Sequence, residues 1–169
     1  MTGKQGSSMD ITEIWVNRHN YRDTKRVRKF LGPLSDGEIV VSIDKYCLMS
    51  NPVDYAVSDD RIDYWNYFPT GEEGWGKLTV WGMADVVESQ CDDVKVGQRI
   101  YGFFPMASHL RMTPGKIKPR NFTDVVDHRS PLPPFYNKYM LTLVNFFPPM
   151  QGNRRSVDSL GKVNETPGF

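Results

Sequence analysis

The sequence predicts a mainly β protein, a small barrel or sandwich, and three observations carry that prediction. Short runs rich in β-branched and aromatic residues recur along the chain. Fourteen glycines and twelve prolines punctuate them in 169 residues, and segments with helical periodicity are scarce. The length suits one domain with a real core and is too short for two ordinary ones.

In chain order, residues 1–10 (MTGKQGSSMD) read as a polar lead-in without periodicity. ITEIWVNR is expected to be a strand on its β-branched content, and TKRVRKF a second short strand after a turn at His19–Asp23. Gly32, Pro33, Asp36 and Gly37 mark a turn before IVVSIDKYC, where Ile39, Val41 and Ile43 share one face and Val40 and Ser42 the other. NPVDYAVSDD predicts a turn entering a short helical stretch. KLTVWGMADVVESQ reads as a long strand in which Gly82 marks a bulge or the close approach of another backbone. Gly97 sets a tight turn before RIYGFF, and ASHLRMTPGKI supplies one further strand. HRSPLPPFYNKY is expected to be a proline-stiffened linker, and QGNRRSVDSLGKVNETPGF a polar tail that packs against nothing. The division is therefore a lead-in at 1–10, a barrel domain at 11–135 and an irregular C-terminal segment at 136–169.

Composition narrows the partners. Lysine and arginine number 21 against 20 for aspartate and glutamate, a net charge of +1, so no whole-molecule field draws nucleic acid or anionic lipid. Charge is uneven along the chain: residues 1–30 hold seven basic and three acidic side chains (+4), and residues 31–150 hold eleven and fifteen (−4). The basic strip fits a charged edge strand that deters wrong pairing, or an arm that contacts phosphates, with Trp15 and Tyr21 able to stack bases. The longest apolar stretch, Tyr139 to Met150, is broken by Asn145 and falls short of the ~20 residues needed to cross a bilayer. No membrane partner is expected, and without a signal-like N-terminus the cytoplasm is the expected compartment. Cys47 and Cys91 lie far apart, with His19, His109 and His128 scattered elsewhere, which is no metal-ligand spacing. Both thiols are expected to be buried or idle.

The order of signals resembles a known family. GEIVVSIDKYCLMSNPVDY, then a strand ending VVES, then KVGQRIYGF, is similar to the GroES-like N-terminal domain of the medium-chain dehydrogenase/reductase superfamily. DRIDYWNYFPTGEEGWGKLTVWGMADVVES, followed by YGFFPMASHL and LPPFYNKY, resembles a branch of that superfamily described as proteins of unknown function; the likeness runs over about residues 37–139. The resemblance implies a GroES-like, partly open β-barrel with short helical turns, covering the substrate side of a cleft. In full-length relatives a separate Rossmann domain holds NAD(P)H. This chain shows no GxGxxG and no strand–helix alternation after Tyr139, so the barrel is expected to have no Rossmann partner, to bind no cofactor by itself, and to be inactive alone. Residues 141–169 depart from the family's continuation, as a truncated or frameshifted product or an excised fragment would.

The same resemblance implies zinc independence. In zinc-dependent relatives a cysteine stands where NPVDY begins and a histidine seven residues before the glutamate of VVES; here those positions are Asn51 and Trp81. Neither offers a thiolate or imidazole. The implied activity is that of zinc-independent reductases acting on conjugated carbonyl compounds or quinones.

Five residues are candidates for binding such a ligand. The Asn51 amide would donate to a substrate carbonyl, or simply start a turn before proline; the Tyr55 hydroxyl would donate to an oxyanion, or bury its ring. Tyr64, Trp65 and Trp81 would form an aromatic wall for a flat molecule, or a plug filling the barrel mouth. Ser108 and His109, adjacent on an expected strand, should face opposite ways, and no Gly-x-Ser-x-Gly turn supports a hydrolase. The alternative to the oxidoreductase half is a non-enzymatic module that binds a small molecule or a protein at the aromatic mouth. Apolar surface left uncovered would be met by residues 139–147 folding back, or by self-association.

Overall fold

A computed structural model describes residues 9–47, Ala56 and 63–142. Among them the chain is mainly β: a three-stranded sheet and a curled seven-stranded half-barrel, with helical structure limited to short 3-10 turns and the single residue Ala56.

The small sheet is built on a hairpin. β1 (Met9–Asn17) pairs antiparallel with β2 (Asn20–Leu31), from Met9 opposite Leu31 to Asn17 opposite Asn20. β1 thus takes in Met9 and Asp10 from the expected lead-in, and β2 is longer than TKRVRKF. The third strand is the two-residue β4 (Trp75–Gly76), on the other side of β1. β2 is therefore an edge, which fits the edge-strand reading of its charges. Two of its lysines are engaged: Lys25 Nζ reaches Glu72 at 2.6 Å and lies 4.0 Å from the Trp75 ring centroid, while Lys29 Nζ lies 3.7 Å from Glu13 and 4.8 Å from the Trp15 centroid.

The large sheet has the strand order β7-β3-β5-β6-β10-β9-β8. Its members are β3 (Ile39–Cys47), β5 (Thr79–Ser89), β6 (Arg99–Pro105), β7 (His109–Met112), β8 (Pro114–Lys118), β9 (Asn121–Asp124) and β10 (Lys138–Leu141). Gly37 and Gly97 take φ of +79° and +89° in the turns before β3 and β6, as expected of glycine at those places. Ile39, Val41 and Ile43 do face one core, with Val80, Ala84, Val86, Ile100, Phe104, Phe122 and Tyr139. At Gly82 the close approach is the feature that occurs: it pairs regularly with Tyr46, and a Cβ on it would lie 2.4 Å from the Lys45 carbonyl oxygen, while the bulge nearby is in β3, where Asp44 is the extra residue between the pairs Ile43–Ala84 and Lys45–Met83. ASHLRMTPGKI makes two strands, β7 and β8, on opposite edges of the order. The sheets join where residues 106–108 cross β1: Ile14 N–H donates to Met106 O, Ser108 N–H donates to Thr12 O, and Glu13 bridges Ala107.

The C-terminal part of the domain departs most from expectation. HRSPLPPFYNKY is not a linker: its last residues begin β10, a central strand between β6 and β9. Pro134 opens a 3-10 turn (Pro134–Asn137), where a missing N–H costs nothing. Ahead of it Arg129, 1% exposed, is held on all sides. Its Nη1 donates to Asp124 Oδ2 at 2.8 Å, its Nε to Asn137 Oδ1 at 2.9 Å, and its Nη2 to Tyr139 Oη at 3.0 Å. Tyr139 Oη in turn donates to Phe103 O at 2.7 Å, and Asn137 Nδ2 donates to Arg129 O at 2.9 Å. A buried ion pair persists when its remaining donors are satisfied, as these are. The Tyr139 ring lies on Gly102, where a Cβ would meet it at 2.3 Å. Tyr139 and Leu141, from the stretch expected to fold back, thus pack in the core; residues 143–169 lie outside the described residues.

Candidate functional site

The five candidate residues separate into three groups. Asn51 and Tyr55 lie outside the described residues. The chain approaches them from Cys47, the register partner of Trp81, so β3 ends beside Trp81.

Tyr64 and Trp65 form a sealed pair. They sit on a 3-10 turn (Tyr64–Asn66) and are 1% and 6% exposed, with ring centroids 5.0 Å apart at an edge-to-face 75°. Tyr64 Oη accepts from the Thr79 amide at 2.8 Å and meets its hydroxyl at 2.9 Å. Trp65 packs so closely over Gly76 that a Cβ there would lie 2.1 Å from Cε3, and the Arg18 guanidinium covers it at 5.2 Å from the centroid. A ring with no open face cannot stack on a ligand. Both belong to a buried core cluster with Val16, Tyr67, Phe68 and Phe103.

Trp81 is different. It stands half-buried on β5 with Tyr101 stacked on it (5.7 Å, 22°) and Phe103 tilted against it at 5.2 Å. The 3-10 turn at Pro134–Asn137 delivers Phe135 at 5.5 Å and Tyr136 at 6.1 Å. Phe135 is 69% exposed, Tyr101 39%, and Met140, opposite Tyr101 in the ladder, 42%. Together they make an aromatic ledge at the margin of a second core cluster that holds Tyr64, Trp65, Tyr67, Phe68 and Phe103, with Trp81 and Tyr136 packed against it. Only Trp81 was foreseen as part of it; the others sit in RIYGFF and in the supposed linker. The stacked PPFY run adjoining a β pattern was the available signal. At the other end of the β5–β6 pair, Arg99 donates through Nε and Nη2 to both Asp85 oxygens, at 2.7 and 2.6 Å, and to Asp44 at 2.9 Å, so this guanidinium is committed to structure.

Ser108 and His109 do touch. Ser108 lies in a bend ahead of β7 rather than on the strand, so its Oγ comes within 3.0 Å of His109 Nδ1 while accepting from the Thr12 amide at 3.0 Å. Burial pushes the His109 pKa down. The serine oxygen serves as a strut between β1 and β7. Cys47 is exposed and Cys91 half-buried, and both are free.

Every ladder among the described residues is antiparallel, and their 3-10 turns are three or four residues long. Among them, too, no three His, Cys, Asp or Glu side chains converge as metal ligands, and no helix is long and apolar enough to cross a membrane.

No curated protein matches the chain. A family model described as protein of unknown function (DUF2855) matches residues 46–154, more than half the chain, from the end of β3 through the ledge and β10. The chain belongs to the DUF2855 family of proteins of unknown function.

Proposed function

We propose that this domain is the substrate-side, GroES-like half of a zinc-independent, NAD(P)H-dependent oxidoreductase-like protein, and that it holds a flat conjugated carbonyl compound or quinone against Trp81. The observation that carries the reading is the ledge. Tyr101 on β6 and Phe135 on the adjoining 3-10 turn expose ring surface beside the half-buried Trp81, next to the strand end that precedes Asn51 and Tyr55 in the sequence. Ring stacking orients a planar ligand at small entropic cost, because the wall is held by cross-strand neighbours before the ligand arrives. The part assigned to this chain is holding and orienting; Asn51 or Tyr55 would donate to the ligand oxygen. Tyr64 and Trp65 leave the proposed site, since both are sealed in the core.

Titrating 1,4-naphthoquinone while following tryptophan emission tests this. Saturable quenching is expected in the native chain and in Trp65→Phe, and is expected to vanish in Trp81→Ala. Saturable quenching that survives in Trp81→Ala overturns the assignment. A second reading, a non-enzymatic module whose ledge binds a protein, is favoured by the adjacency of exposed Phe135, Tyr101 and Met140. It predicts concentration-dependent association that Phe135→Ser abolishes, with no quinone quenching.

A further inference from the structure

Next to the ledge, on the far side of Phe135, lies an open cleft of about 350 Å³ lined by Lys116, Lys118, Asn121, Thr123, Phe135 and Lys138. Its three charges come from two strands, two lysines from β8 and one from β10, with the polar side chains of β9 between them. All three lysines are exposed, and none takes part in an ion pair or hydrogen bond among the described residues. The carboxylate nearest in the ladder, Asp124, is buried and committed to Arg129. Asp93 lines a neighbouring hollow that Lys118 also borders, without pairing to it.

The backbone supplies a second, independent observation. Between the pairs Gly115–Thr123 and Lys118–Asn121, two residues of β8 stand opposite the single residue Phe122. This is a bulge, and its first residue, Lys116, has φ of +47°. A bulge of that kind ordinarily takes glycine at the left-handed position, because a Cβ is strained there. Holding a lysine in that conformation has no packing gain to set against it, since the side chain is exposed. Strain of this sort concentrates where a side chain is aimed at something.

We propose that this cleft binds a phosphate monoester carrying a flat ring. Lysine ammoniums are compact charges that suit a tripod of phosphate oxygens, whereas planar carboxylate recognition favours the arginine fork, which is absent here. Asn121 and Thr123 add neutral donors, and the exposed face of Phe135 takes the ring. The inference stands on residues other than Trp81 and does not depend on the quinone reading.

Calorimetric titration with 1-naphthyl phosphate is the test, with inorganic phosphate and 1-naphthol as partial probes. Saturable binding is expected for the ester, weaker binding for inorganic phosphate, and no competition from 1-naphthol. Lys116→Gln combined with Lys138→Gln should weaken the ester by about tenfold or more and flatten its salt dependence, and Phe135→Ala should reduce its advantage over inorganic phosphate. Lys116→Gly should raise the melting temperature by about 2–4 °C while affinity falls, a combination that a purely structural lysine does not produce. Unchanged ester affinity in the double lysine variant overturns the proposal. So does retention on phosphatidic acid vesicles without any binding of the soluble ester, which would assign the lysines to a lipid surface.

Discussion

Tyr64–Trp65 and Trp81–Tyr101 are two aromatic pairs of the same composition, a tyrosine beside a tryptophan, and they behave oppositely. The first is closed: hydroxyl bonded to Thr79, indole pressed on Gly76, both residues below 7% exposure. The second is more open: Trp81 packs against the margin of the same core cluster and is half-buried, and Tyr101 stacked on it is 39% exposed. What separates them is the element that carries each. The 3-10 turn buries Tyr64 and Trp65 and leaves Asn66 exposed, while along one face of β6 Phe103 is buried and Tyr101, two residues away, is exposed at the cluster's margin. Aromatic content therefore marks neither a core nor a site; satisfaction and exposure decide.

The largest effect expected from that contrast is on stability. Trp65→Ala should cost about 3–5 kcal/mol, because the ring's removal leaves a cavity over Gly76 that strands cannot collapse to fill. Trp81→Ala removes a ring already half in water and should cost about 1–2 kcal/mol. Denaturant unfolding of the two variants measures the difference. Equal costs would mean that the ledge is as much a part of the core as the plug, and the open-site reading would lose its basis.

The same contrast explains what could be read from the sequence. The strands at Ile39–Cys47, Thr79–Ser89 and Arg99–Pro105 were legible because alternation and flanking glycines are local signals. The region from Asp124 to Leu141 was not legible. Its prolines look like those of a linker, and nothing local says that Arg129 will be enclosed by Asp124, Asn137 and Tyr139, or that Lys138–Leu141 will enter the middle of a sheet. Pairing with β6 is a long-range fact. The open ledge suffered likewise, since half of it comes from that misread segment. The lysine cleft left no trace in the composition, because its three charges are spread over β8 and β10 and cancel in the total.

Alkaline pH should act on the sealed side of the molecule. Burial pushes the Tyr139 pKa up to about 12 from an unfolded value of 10.0, the Arg129 guanidinium opposing the shift. A folded-state pKa raised above the unfolded one means that the unfolded chain loses its proton first. The contribution is fully present below pH 10 and is lost as pH rises through about 12. The loss amounts to at most about 3 kcal/mol for this residue. Melting temperature followed from pH 9 to 12 should fall accordingly, and a flat profile would show that Tyr139 is not enclosed as described.

The smallest effect expected concerns Tyr67, which is wholly buried yet whose hydroxyl finds no hydrogen-bond partner among the described residues. Its ring is well placed, edge-on to Phe103 at 5.7 Å and to Tyr136 at 5.4 Å, so the ring joins the sealed cluster to the underside of the ledge. The oxygen therefore carries a desolvation cost with no bond to offset it, and burial is also the leading cause that pushes its pKa up to about 12. Tyr67→Phe keeps every ring contact and removes that cost. Stability should hold or rise by about 1 kcal/mol at neutral pH, and part of the alkaline loss should disappear with the hydroxyl. A fall of similar size would show that the hydroxyl is bonded, and would make Tyr67 a polar tie between the closed and open aromatic groups rather than a purely apolar one.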